Sequence, residues 1–284
     1  MTIWKILEKI LIYSFAFMLS VIIMFPIISM ISTSLKSWSE LWISPAIWIP
    51  NTIYFDNYIK VWQKIGTGLG LTIYFRNSMI IASGTVLLSL MLSIPAAYTI
   101  SRYKFKGRKE FMFLILITQM IPPIILIMSL FTIMKMFGLL NTYLGVILIT
   151  STFSMPYSVW ILFTSFNAVP RVLDEAAMLD GCSELKILTN IIIPLSWHGI
   201  ITAMIYAFIY GWSDFLISLT FLRSSELLPV TVGIFNLLYS PGTVEIPWHE
   251  VMSSSILSAI PVMILFSVIR KYLVRGFSMG GIKG

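Results

Sequence analysis

Charge is scarce in this sequence. Asp, Glu, Lys and Arg make up 11% of its 284 residues, hydrophobic residues make up 58%, and the mean hydropathy is +0.92. A soluble domain of this size needs far more polar surface to cover its outside, so a soluble fold fits poorly. Cysteine is nearly absent: Cys182 stands alone, which excludes an intrachain disulfide framework. Histidine occurs only as His198 and His249, which the span assignment below places on opposite sides of a membrane, so no metal site is expected. No G-x-x-x-x-G-K-[ST] run exists, and the chain has no nucleotide chemistry of its own. The glycine-rich Gly66–Gly70 stretch precedes a span and reads as a flexible turn. No internal repeat, low-complexity tract, enzymatic constellation or cofactor motif is visible.

What is abundant is apolar runs of about 20 residues, the length that crosses a hydrocarbon core as a helix. We read an all-α polytopic membrane protein, one transmembrane domain over 1–284, with six spans at about 10–31, 77–100, 110–133, 143–165, 199–221 and 251–272. The first run follows Lys5 and Lys9 but is long and lacks a clear cleavage pattern, so it is kept as a helix. Prolines 26, 95, 122, 123, 156 and 261 fall in or beside spans and are expected to kink rather than break them. The formal charge of +7 is not gathered on one face; it sits in short clusters between apolar runs, which argues against nucleic acid. Residues 101–109 carry five positive charges in nine positions, and Arg270, Lys271, Arg275 and Lys283 follow the last span. The positive-inside rule then places both termini, and the 166–198 connection, in the cytoplasm. The aromatic-rich 32–76 segment becomes external, folded at the membrane interface, and the chain a multi-pass subunit of the cell membrane.

The 166–198 connection carries most of the functional information. Pro170 can open a first short helix, with Asp174 and Glu175 near its N-terminal end, where the helix dipole favours acids. Gly181 is placed to end that helix in a left-handed cap. Ser183 can cap a second helix, which Pro194 is expected to stop. Neither helix is long enough to span or to be stable alone. Periodicity leaves two readings open: the pair docks in the groove of a partner protein, or it folds back on its own bundle.

Glu175-Ala176-Ala177, Gly181 four residues later, then Ile191 and Pro194, resemble the E-A-A signature of ABC-importer permeases, with Ile193 where the pattern has Leu. Asn77-Ser78, Ala96-Ala97-Tyr98 with Arg102, Gly138–Tyr143, Trp212–Phe215 and Gly280–Gly284 are similar to the carbohydrate-uptake branch, in particular the shorter six-helix permease of maltose-type transporters. The resemblance implies a chain without enzymatic activity or cofactor. Its implied partners are a second permease, two ATP-binding cassette ATPases, an external sugar-binding protein and the bilayer. It also implies ATPase contact through Glu175, Ala176, Ala177, Gly181 and Pro194. Candidates for a translocation path are Gln119, Ser154, Tyr157, Tyr206, Tyr210 and Asp214, of which the last three share a helix face at four-residue spacing. Aromatics at that spacing also serve plain packing, and Asp214 also suits a hydrogen bond between helices. A permease for another solute, such as a glycerol phosphate, is the alternative within the class; a stand-alone secondary transporter is the alternative outside it, with Asp214 as its one buried acid.

Overall fold

Among the residues described by the computed structural model (3–45, 47–64, 68–238 and 245–280) there is helix and connection but no strand. In chain order the helices are α1 Ile3–Ser34, α2 Asp56–Gln63, α3 Leu71–Arg102, α4 Arg108–Ile117, α5 Pro123–Met136, α6 Tyr143–Asn167, α7 Val172–Leu179, α8 Glu184–Ile187, α9 Ile193–Leu195, α10 Trp197–Trp212, α11 Leu216–Phe221, α12 Val230–Leu238 and α13 Trp248–Gly280. Within α1, α3, α6 and α13 lie stretches long and apolar enough to cross a membrane, and two sharply bent pairs raise the total to six. Part of the Gly66–Gly70 turn and the terminal residues 281–284, Lys283 among them, lie outside the described residues.

Two expected spans are interrupted. The 110–133 run bends by 94° between α4 and α5. Pro122 has extended backbone (ψ 128°) and Pro123 opens α5, so the proline pair breaks the helix here instead of kinking it. The 199–221 run stops at Trp212 and resumes at Leu216. By contrast Pro26, Pro95, Pro156 and Pro261 lie inside continuous helices.

Contacts divide the chain into two units, 1–72 with 233–260 and 73–232 with 261–284. In the first, the connection after α1 is folded. The Asn57 side-chain amide donates to the carbonyls of Ser34 and Lys36 at 2.9 and 2.8 Å, and Ser34 and Tyr58 hydroxyls pair at 2.7 Å. The Glu40 carboxylate accepts the Ser37 and Asn51 amides, and Trp38 lies edge-on to Trp42 and to His249.

The second unit is built on a seam of small residues. On α3, Ser78, Ala82, Thr85, Ser89, Ser93 and Ala97 are all fully buried. Their spacing of three or four residues lays them in one stripe. The stripe meets α6: Thr85 and Thr150 hydroxyls pair at 2.7 Å, Ser89 donates to Ser158 at 3.2 Å, and Ser93 to the Met155 carbonyl at 3.4 Å. Space is equally tight against α10, where a Cβ on Gly211 would lie 2.8 Å from the Thr85 hydroxyl oxygen. In lipid there is no hydrophobic drive between helices, so close approach and such hydrogen bonds, about 0.6 kcal/mol each on average, hold the bundle.

Candidate functional site

The 166–198 connection folds as two helical pieces joined at a tight corner. Arg171 and Val172 open α7 directly after Pro170, and Asp174 and Glu175 sit in its first turn. The corner is a Schellman turn: the Gly181 amide donates to the Met178 carbonyl at 3.0 Å and the Cys182 amide to the Ala177 carbonyl at 2.9 Å. Gly181 has φ +78°, a conformation that costs an ordinary L residue about 1–2 kcal/mol. Ser183 stands at the start of α8 with extended backbone but makes no side-chain cap bond. The expected stop at Pro194 is displaced. A π turn, Leu188–Ile192, links α8 to α9, and the stretch Glu184–Leu195 runs through the proline before bending 83° into α10. Because Pro194 is the second residue after the π turn, its missing N–H falls where the helical register is already shifted.

The two faces of α7 differ in kind. Asp174 and Ala177, three residues apart, turn inward and are 6% and 7% exposed. Ala177 packs in a core with Ala97, Tyr98, Val159, Phe166 and Ile187. Of the residues expected to touch an ATPase, Ala177 is therefore spent on the chain's own bundle, whereas Glu175, Ala176, Gly181 and Pro194 are exposed. Around them stand large apolar side chains in the open: Leu179 at 90% exposure, Leu185 at 70%, Val172 at 69% and Met178 at 53%.

The inward face is locked by charge. Arg102, at the end of α3, places Nε 2.7 Å from the Asp174 carboxylate, and its Nη1 donates to the Val169 carbonyl at 3.2 Å. Arg171 reaches back to the Ser101 carbonyl at 2.9 Å. Both side chains of the ion pair are over nine-tenths buried, so removing one partner strands a charge at a cost of roughly 3–5 kcal/mol. Burial pushes the Asp174 carboxyl above its ordinary range, while the Arg102 and Arg171 guanidiniums oppose that shift. Next along, Tyr103 hydrogen-bonds to Glu184 of α8, which lifts its phenol to about 12. The sequence alone does not reveal this anchoring, since Asp174 reads there for its dipole position; an acid beside E-A-A and an arginine closing span two are its only signal.

The path candidates separate into groups. Tyr157 and Tyr206 rings face each other at 5.1 Å, Tyr206 and Tyr210 at 6.3 Å, and Trp160 extends the row from Tyr157 at 6.5 Å. Tyr206, Tyr210 and Asp214 line one open cavity of about 640 Å³ together with Pro122, Pro123 and Ser213. Gln119 lies elsewhere, in a largely apolar cavity of about 740 Å³, and donates to the Phe153 carbonyl at 3.1 Å. Ser154 is fully buried and bonds the Ser151 carbonyl. Asp214 is not in a helix: it sits in the break before α11, accepting from the Ile217 and Ser218 amides at 3.3 and 2.8 Å and from the Ser218 hydroxyl at 2.7 Å. The acid thus satisfies a helix start and still borders the cavity.

The chain is similar to known proteins along nearly its whole length. A trehalose/maltose transport system permease protein (MalG) of Thermococcus litoralis is 35% identical over 280 residues, covering 99% of both chains. An arabinooligosaccharides transport system permease protein (AraQ) of Halalkalibacterium halodurans is 33% identical and covers 98% of both. Among solved structures, a chain of a bacterial ABC transporter involved in import of the acidic polysaccharide alginate superposes with a TM-score of 0.82 at 22% identity, covering 96% of this chain and 98% of that one. The family model for the binding-protein-dependent transport system inner membrane component matches residues 89–279, which takes in the Arg102 anchor, the E-A-A corner and the aromatic row. The chain belongs to that family of inner-membrane transport components.

Proposed function

We propose that this chain is one permease half of an ATP-driven importer that carries a neutral sugar or oligosaccharide, handed over by an external binding protein. ATP hydrolysis resides on two cassette ATPases docked at α7–α9, and a second, related permease completes the path. In this reading the termini and α7–α9 face the cytoplasm. The observation that carries it is the exposed corner itself. Leu179, Val172 and Met178 lie bare beside Glu175 on a helix whose other face is fixed by a buried ion pair, and Leu185 lies bare on the helix after Gly181. An apolar face held rigidly in place off a membrane bundle suits a groove in a soluble partner.

The substrate class follows from the cavity. Broken backbone at membrane depth is tolerated only where it lines protein or water, and both breaks, at Pro122 and at Asp214, open on the same space. Aromatic rings offer faces to the apolar side of a sugar ring, with hydroxyl and carboxylate groups at the rim. Among the described residues no basic side chain lines that cavity, and the one charged residue there is an acid, which disfavours a phosphorylated solute. Relatives named for trehalose/maltose and arabinooligosaccharides transport support the same substrate class.

The test is reconstitution of the complex, with its partner permease, ATPases and binding protein, in proteoliposomes. ATP-dependent uptake of radiolabelled trehalose, maltose, arabino-oligosaccharides and glycerol 3-phosphate is then measured. Uptake of a sugar, with a KM raised at least fivefold by Tyr206→Ala, supports the proposal. Uptake of glycerol phosphate alone, or uptake that needs no ATPase, overturns it.

A further inference from the structure

The sequence motif Asn77-Ser78 has no place in either the ATPase corner or the aromatic cavity, yet it is fully buried and fully used. The Asn77 side-chain amide donates to the carbonyls of Glu226 and Leu228, both at 2.8 Å, and its carbonyl oxygen accepts the Tyr143 hydroxyl at 2.7 Å. The Ser78 hydroxyl accepts the Val230 amide at 2.8 Å. One end of α3 therefore grips the 226–230 segment and the start of α6. The other end of the same uninterrupted helix holds the ATPase-side corner through Arg102–Asp174 and through the Ser101 carbonyl. The 25 residue steps from Asn77 to Arg102 cover about 38 Å.

We infer that α3 is the strut of this permease: Arg102 takes up displacement of α7, and Asn77, with Ser78, delivers it to the 226–230 segment at the opposite end of the bundle. Arg102 and Asn77 are positioning residues for transport rather than contacts to substrate or ATPase. The contacts at both ends have the features such a role needs. At the inner end a short ion pair, backed by a backbone hydrogen bond in each direction, resists both pull and push. At the outer end the Asn77 amide makes two bonds to main-chain carbonyls, so what it grips is backbone rather than a side chain free to rotate. Between them, the Thr85–Thr150, Ser89–Ser158 and Ser93–Met155 contacts brace the helix against α6 along its length.

The inference rests on the importer reading, and its test separates the two. The assembled complex, in lipid nanodiscs and in a cysteine-free background (Cys182→Ser here), carries a nitroxide at Ser225→Cys, an exposed position immediately before the gripped segment. The readout is the change in label mobility when a non-hydrolysable ATP analogue is added. Unsubstituted complex should respond. Arg102→Gln and Asn77→Ala should each reduce the response at least threefold while ATP hydrolysis continues, and the double variant should lose no more than the worse single one, because both lie on one line of contacts. The milder Ser78→Ala should give a partial loss, which guards against Asn77→Ala failing to assemble. Charge reversal, Arg102→Asp with Asp174→Arg, should restore at least half of what Arg102→Asp loses. A full response in both Arg102→Gln and Asn77→Ala, or no recovery on charge reversal, overturns the strut and leaves the importer standing. Absence of any nucleotide response in the unsubstituted complex overturns both.

Discussion

Replacement of Gly181 is the sharpest test of the corner. The backbone there has φ +78°, and a Cβ built on it would meet nothing within 4 Å in this chain. Any penalty for Gly181→Ala is therefore one of backbone conformation, about 1–2 kcal/mol for an L residue in the left-handed region. If the corner relaxes fully, the docking-competent shape falls in relative population by a factor of about 5–30, and apparent affinity for an ATPase falls by the same factor. Gly181→Asn is the control, because Asn tolerates that region and keeps the turn. Titration of purified ATPase onto the detergent-solubilised permease pair, followed by fluorescence anisotropy, should show Gly181→Ala weakened about 5–30-fold and Gly181→Asn less than about threefold. Gly181→Asp adds a charge on the exposed side and should uncouple ATP hydrolysis from transport. Equal and near-native affinities for the alanine and asparagine variants would refute the corner as part of the dock. Equal and severe losses would move the cause from backbone shape to crowding by the partner.

Neighbouring positions on α7 should respond in opposite ways. Leu179→Ala removes a side chain that is 90% exposed, so thermal stability of the isolated permease pair should change by less than about 0.5 kcal/mol while ATPase affinity drops. Ala177→Leu overfills a packed core and should lower stability by about 1–3 kcal/mol, read as a fall in melting temperature in detergent. Asp214→Ala deprives the Ile217 and Ser218 amides of their acceptor and should cost about 0.5–2 kcal/mol in the same melt. Asp214→Asn, which keeps a carbonyl acceptor, should recover most of that loss.

Much of the corner could be read in advance because its chemistry is local. A proline, two acids, small residues and a glycine at set intervals specify a short helix and a left-handed end whatever surrounds them. What could not be read depends on partners far along the chain. Ala176 and Ala177 are indistinguishable on an eight-residue helix with apolar residues on both sides; only the position of Phe166 and Ile187 decides which is buried. Arg102 and Asp174 are 72 positions apart, and nothing in either neighbourhood names the other. The breaks at Pro122 and at residues 213–215 were hidden for another reason. Hydropathy measures side chains, and the backbone was interrupted inside windows that stayed apolar throughout. Polarity alone groups Gln119 and Ser154 with the tyrosines, but Gln119 donates to the Phe153 carbonyl of α6 and Ser154 to the Ser151 carbonyl of its own helix.

The stripe of serine, threonine and alanine between α3 and α6 has a practical corollary. Its cohesion comes from contact and hydroxyl pairing and owes little to the exclusion of water, so swapping one amphiphile for another leaves it largely untouched. Purification in different micelles, or transfer to discs of native phospholipid, should preserve the pairing of these two helices even where weaker parts of the subunit loosen. A bulkier residue in that stripe, by contrast, would pry the helices apart in every medium alike.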